Sequence, residues 1–281
     1  MYQSQITRAH KGAFLILLDQ SGSMAEEVPF EGRTVTKAEA LCNIINGLLE
    51  EIIIHSRRER FVGDYFDIGI IGYSGSEARN LLGGGFQSIT KINAIDTPVK
   101  THLISRTLPS RETFQTIVER RHWLTPEAKG RTPMGKALAL ATKMCGQWCR
   151  KHPESFPPIV INISDGEATD VPSDEIIRLA TRLKECHTQD GNTLLINILL
   201  ATEGSAHLPH LCFPSEGEHS VIGRHARLLY DISSTMPQLY DNDIIEFRGG
   251  RPPFRALAVN ASVSELVALL SIGTLSTDLM L

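Results

Sequence analysis

The chain has no long apolar run, no excess of charge of one sign and no paired-cysteine spacing, and each lack removes a class of function. Its first apolar stretch, Ala13–Leu18, falls far short of the roughly 20 residues of a membrane helix. The polar start before it, "MYQSQITRAHKG", is not that of a secretory leader. Lys and Arg (28) nearly balance Asp and Glu (32), and the net charge of −4 gives no drive toward nucleic acid or an anionic membrane. The basic doublets Arg57-Arg58 and Arg120-Arg121 are short and read as solvated surface. The cysteines Cys42, Cys145, Cys149, Cys186 and Cys212 are odd in number and lack a Cys-x-x-Cys spacing, which suits a reducing cytoplasm. Cys145 and Cys149 share a helix face and read as packing residues. No Gly-Lys-Ser/Thr follows the glycines at 83–85, so they form a flexible turn rather than a phosphate loop. The expectation is a cytoplasmic protein with neither a nucleic-acid nor a membrane partner.

What is present is an ordinary globular composition, 42% hydrophobic and 21% charged, in a chain of 281 residues that can bury a sizeable core. Ala13–Leu18, residues 66–73, 157–164 and 193–201 and the segment "FRALAVN" read as strands, the first with no alternation because both sheet faces are covered. A helix follows Thr36, which forms a capping box with Glu39, and its apolar stripe runs from Leu41 to Ile53. Further helices are expected from Pro133 to about Arg150, after Ser173, near residues 223–230, and from Ser262 to near Gly273. Between residues 74 and 131 the pattern is harder to read, with a strand expected near Ile89–Ile95 and a helix near Glu112–Trp123. Strands alternating with helices predict an α/β, doubly wound, Rossmann-like fold with a mostly parallel central sheet and helices on both faces. Residues 10–275 read as one domain with insertions at about 74–131 and about 203–250.

Three segments place oxygen ligands just after a strand or just before a helix. They are "DQSGSM" from Asp19, "GRTPMG" around Thr132, and "SDGEATD" around Asp165. In a doubly wound sheet the binding crevice lies at the carboxyl ends of the strands where the winding reverses. If the first strand and the 157–164 strand are neighbours there, Asp19 and Asp165 converge and Thr132 enters from above. Oxygen-only donors select a hard cation, Mg²⁺ or else Mn²⁺ or Ca²⁺. Two carboxylates only balance a divalent charge, which leaves room for a ligand from another molecule.

Together these motifs resemble the metal-ion-dependent adhesion site of von Willebrand factor A (vWA) domains, over about residues 13–271. The resemblance implies that Ser21, Ser23 and Thr132 bind the ion directly. It also implies that Asp19 and Asp165 act mainly through water or by moving into direct ligation. "FLILLDQSGSM" and "SDGEATD" are most similar to bacterial cytosolic members related to the tellurite-resistance group. Those members resemble partner-recruiting proteins of stress or defence gene clusters, often near AAA+ ATPases, kinases or phosphatases. The implied function is therefore non-enzymatic, with a partner protein supplying an Asp or Glu to the ion.

Other features carry less. "HLPHLC" at 207–212, with His219 and His225, matches no zinc-finger spacing and reads as a surface loop. Asp170 reads as a turn residue ahead of Pro172 rather than as a support to the site. Trp123 and Trp148 read as core anchors, Trp123 nearer the rim. A Mg²⁺-dependent phosphate hydrolase is the first rival, but no Asp-x-Asp or Ser–His pair lies around the ligands. A structural subunit, with the metal merely stabilising loops, is the second.

Overall fold

A computed structural model of the protein describes residues 2–58, 61–107, 113–165, 167–200, 210–216, 218 and 224–261. Its first strand, β1 (Gly12–Asp19), is buried at every residue. Phe14, Ile16 and Leu18 pack into one core and Leu15 and Leu17 into a second on the opposite face, as a strand covered on both sides requires. After a 3₁₀ turn at Gly22–Ala25 come the hairpin β2 (Glu27–Phe30) and β3 (Arg33–Thr36) and the helix α1 (Lys37–His55). Thr36 caps α1: its side chain accepts from the Glu39 amide at 3.1 Å. Leu41, Ile45, Leu49, Ile52 and Ile53 bury the helix on the first core, each worth about 1.5–3 kcal/mol of transfer free energy.

A short ribbon, β4 (Arg57–Arg58) and β5 (Phe61–Val62), leads to β6 (Phe66–Ser74), then β7 (Glu77–Asn80) and β8 (Gln87–Ser88). Next come α2 (Ile89–Ala94) and the hairpin β9 (Val99–Thr107) and β10 (Thr113–Arg121). α3 (Met134–Lys151), β11 (Ile159–Ser164), α4 (Ser173–Glu185) and β12 (Leu194–Leu200) complete the centre. The last described elements are β13 (Leu211–Cys212), α5 (Arg224–Ile232), α6 (Asp241–Arg248) and β14 (Leu257–Ala261).

The sheet runs β13-β14-β12-β11-β1-β6-β7, with β8 also paired to β6. The five strands β14, β12, β11, β1 and β6 are mutually parallel, and the antiparallel strands sit at the edges. Residues of α1 and α6 lie in the first core, and those of α3, α4 and α5 in the second. This is the expected doubly wound arrangement. The chain leaves β1 toward β6 on one side and later returns to place β11 on the other, so the winding reverses at β1.

Two expected elements exchange type. Residues 89–95 hold a helix instead of a strand: Ile89 and Ile92, three apart, are both fully buried, and the Ser88 side chain accepts from the Lys91 amide. Within the expected helix at 112–123, residues 113–121 hold a strand instead, because β10 pairs along its length with β9, Ile117 opposite Leu103. The helix expected from Ser262 lies outside the described residues. None of the five cysteines forms a disulfide. Among the described residues no helix is long and apolar enough to cross a membrane.

Candidate metal site

Three loops meet at the carboxyl ends of β1 and β11, which pair as parallel neighbours, Leu18 opposite Ile163. β1 delivers Asp19, only 1% exposed. Its Oδ1 accepts from the Ser21 amide at 2.8 Å, the local turn that Asp favours, and its Oδ2 accepts from Ser164 Oγ at 2.6 Å. Burial pushes the Asp19 carboxyl up to about 6; bonds from Ser164 and Ser21 oppose this, and nearby Asp165 adds to it. With both oxygens engaged by protein donors, Asp19 is placed to orient hydroxyls or water rather than to be the first group an ion meets.

Asp165 follows the last residue of β11. Its Oδ1 accepts from Ser23 Oγ at 2.6 Å, and Ser23 Oγ lies 3.1 Å from Ser21 Oγ. Asp19, Ser21, Ser23 and Asp165 therefore form one hydrogen-bonded cluster, with Ser164 joining it from β11. Ser23 is exposed whereas Ser21 is buried, so the cluster opens to solvent on the Ser23 side.

The segment leading to Thr132 is joined through its backbone to the loop after β1, and Thr132 itself to the loop after β11. The Gly22 amide donates to the Gly130 carbonyl at 3.0 Å, and the Lys129 amide donates to the Gln20 carbonyl at 2.9 Å. Gly130 has φ +72°, and a Cβ there would lie 2.8 Å from the Gly75 Cα, so glycine is required by both backbone and space. The Thr132 amide donates to Thr169 Oγ1 at 3.0 Å, while its carbonyl accepts from the Thr169 amide at 3.0 Å.

Asp170 differs from its sequence reading. Its carboxylate accepts from the Gly135 amide (3.1 Å) and the Lys136 amide (3.0 Å), so it caps α3 from another loop. Pro133, at the cap position, supplies no side-chain bond. The "ATD" half of "SDGEATD" thus fastens the start of α3, and with it Thr132.

One member of the site escapes sequence reasoning altogether. Lys37, the first residue of α1, is fully buried and pairs with Glu26 and with Asp165 Oδ2 at 3.2 Å. Its signal was a cation in the first turn of a helix, where the macrodipole favours acids.

Asp19 and Asp165 with the Ser21 and Ser23 hydroxyls form a donor set that fits a hard divalent cation, with Lys37 an added positive charge behind Asp165. Among the described residues no three His, Cys, Asp or Glu side chains are grouped so as to hold a metal ion, so the fit rests on hydroxyls. His207 and His219 fall outside those residues. Beside the site lies a cleft of about 250 Å³ lined by Gln20, Arg79, Trp123, Leu124 and Glu127. Trp123, part of that lining, donates Nε1 to the Ile92 carbonyl, and Arg121 lies 4.6 Å from the centre of its ring. Trp148, in contrast, is buried and donates to Asp67.

No protein-family model and no curated protein sequence matches the chain. Similar solved structures include a von Willebrand factor type A protein from Catenulispora acidiphila, at 15% identity and a TM-score of 0.40 over 79% of this chain. The chain spans only 41% of that protein's length. The vWF domain of the type V pili tip protein Mfa5 from Porphyromonas gingivalis is similar at 8% identity and a TM-score of 0.46, covering 95% of this chain and 94% of that one. An uncharacterized membrane spanning protein from Vibrio fischeri, at 16% identity and a TM-score of 0.28, covers 79% of this chain and 86% of its own. The likeness to von Willebrand factor A domains is one of fold alone.

Proposed function

We propose that this protein is a non-enzymatic interaction module. It holds a divalent cation, Mg²⁺ or else Mn²⁺ or Ca²⁺, at Asp19, Ser21, Ser23, Thr132 and Asp165, and binds a partner protein through that partner's Asp or Glu. The observation that carries this reading is the meeting of the Ser21 and Ser23 hydroxyls with Asp165 at an open crevice. A bound ion supplies Lewis acidity toward an incoming carboxylate. The serine hydroxyls add no charge of their own, so the ion's demand for an anion is left to an outside acid.

The resemblance of "DQSGSM" and "SDGEATD" supports a setting in a bacterial cytoplasmic stress or defence system, with an AAA+ ATPase, kinase or phosphatase from the same gene cluster as the partner. Residues 10–275 would form the module, and the segments at about 74–131 and about 203–250 would shape specificity around the ion. Capture of the gene-cluster partner on immobilised protein tests this reading. Recovery should need a divalent ion and should fall at least about tenfold with chelator or in Ser21→Ala, since a tenfold loss is only about 1.4 kcal/mol. Equal recovery under all conditions refutes the metal bridge. Phosphate-ester turnover that Asp19→Ala abolishes would establish the hydrolase instead.

A further inference from the structure

We propose that Lys37 is an internal counter-cation of the candidate metal site, holding Asp165 in the metal-free protein and lowering the site's affinity for divalent ions. The inference rests on the metal-site reading above. Both side chains of the Lys37–Asp165 pair are 0% exposed, and the ammonium lies 3.2 Å from Oδ2. The opposite oxygen, Oδ1, faces Ser23. One carboxylate is thus shared between a fixed cation behind it and the hydroxyl cluster in front.

The buried ammonium is tolerated because two carboxylates compensate it. Glu26 is joined to Lys37 twice, by the side-chain ion pair and by the Lys37 amide, which donates to the Glu26 carbonyl at 2.9 Å. Lys37 cannot turn away to solvent, because its position opening α1 and its burial fix it in place. A divalent ion entering the site must share Asp165 with it and bear its repulsion. The charges lining this region are Asp19, Asp165 and Glu26 against Lys37, a net of about −2 that a divalent ion would just cancel. By offsetting one of those three negative charges, Lys37 loosens the hold on the ion and leaves the occupied site neutral rather than anionic, so a partner's acid is not repelled.

Two substitutions push the affinity in opposite directions. Lys37→Met removes the repulsion while keeping the length of the side chain. Glu26→Gln removes the competing carboxylate and commits Lys37 to Asp165. Mn²⁺ binding to the full chain, followed by the electron paramagnetic resonance signal of the free ion, reads both. Lys37→Met should tighten Mn²⁺ by about tenfold or more, and Glu26→Gln should weaken it by about threefold or more, as expected for one charge removed close to the ion. Lys37→Met should also lose thermal stability in chelator and regain more than wild type when Mn²⁺ is added.

Unchanged or weaker Mn²⁺ binding in Lys37→Met overturns the proposal and leaves Lys37 a packing and orienting residue. If Lys37→Met does not fold, Glu26→Gln decides alone, and unchanged or tighter binding there overturns the proposal. Ser21→Ala separates the two levels. Wild-type binding that Ser21→Ala abolishes, with the Lys37 and Glu26 variants unmoved, refutes only the role of Lys37. Absence of Mn²⁺ binding in the wild type refutes the metal site as well.

Discussion

Asp19 shows how one buried carboxyl couples the site to pH. It ionises near 3.8 when unfolded and at about 6 in the folded, metal-free protein, chiefly because burial disfavours its charge. Between those pH values the unfolded chain has released the proton and the folded chain keeps it. This group's contribution to stability therefore falls as pH rises through that window and is constant above it. The loss is about 3 kcal/mol. Asp19→Asn lacks the titration, so in chelator its stability relative to wild type should rise between pH 4 and pH 6.5. Urea midpoints measured across that range check this, and a difference that stays flat with pH refutes it. Asp19, Ser21, Ser23, Thr132 and Asp165 stood out in the sequence because each adjoins a strand end or helix start. Lys37 did not, because its role depends on a carboxylate 128 residues away.

At the scale of elements, α3 depends on a cap from outside itself. Asp170→Ala should leave the Gly135 and Lys136 amides without their acceptor and destabilise the fold by about 1–2 kcal/mol, measured by urea unfolding. It should also weaken divalent binding, because Thr132 immediately precedes the capped turn. Unaltered stability in this variant means that water replaces the carboxylate without loss. Gly135 belongs to the same arrangement, since a Cβ there would lie 2.6 Å from Val171 Cγ2. The two elements that exchanged type illustrate the limits of local pattern. The isoleucines of α2 are β-branched, yet their spacing of three fits one buried helix face. In β10 the decisive partner is β9, more than ten residues back for most pairs, and no helical periodicity competes with that ladder.

Across the whole molecule a buried polar chain runs under the site. The Tyr73 hydroxyl reaches past β1 and donates to Asn162 Oδ1 at 2.9 Å. Asn162 donates to Asn197 (3.0 Å), Asn197 to Ser233 (2.9 Å), and Ser233 to the Leu229 carbonyl (2.6 Å). Burial raises the Tyr73 pKa well above its ordinary value, so the phenol stays a donor. The chain links β6, β11, β12 and the end of α5 through groups that are all satisfied. Tyr73→Phe should cost about 1–2 kcal/mol by leaving Asn162 short of a donor, a melting-point drop of a few degrees by calorimetry. A loss below about 0.5 kcal/mol would show that the chain adds nothing to stability. The sequence carried a trace of it: "INIS" and "INIL" each hold one Asn in an apolar strand, and the two residues sit directly opposite in the register.

The amino-acid order alone determined the parallel α/β layering, since unbroken apolar strands and capped amphipathic helices admit few other arrangements. It also marked the three oxygen-rich segments, because their residues lie at element ends that local pattern reveals. Tertiary structure decided what faces those residues. Parallel pairing of β1 with β11 brings Ser23 onto Asp165. The packing of α1 buries Lys37 behind the same carboxylate, and the loop after β11 returns to cap α3. Each is a contact between distant segments, set by how the layers close and not by any local preference of the residues that make it.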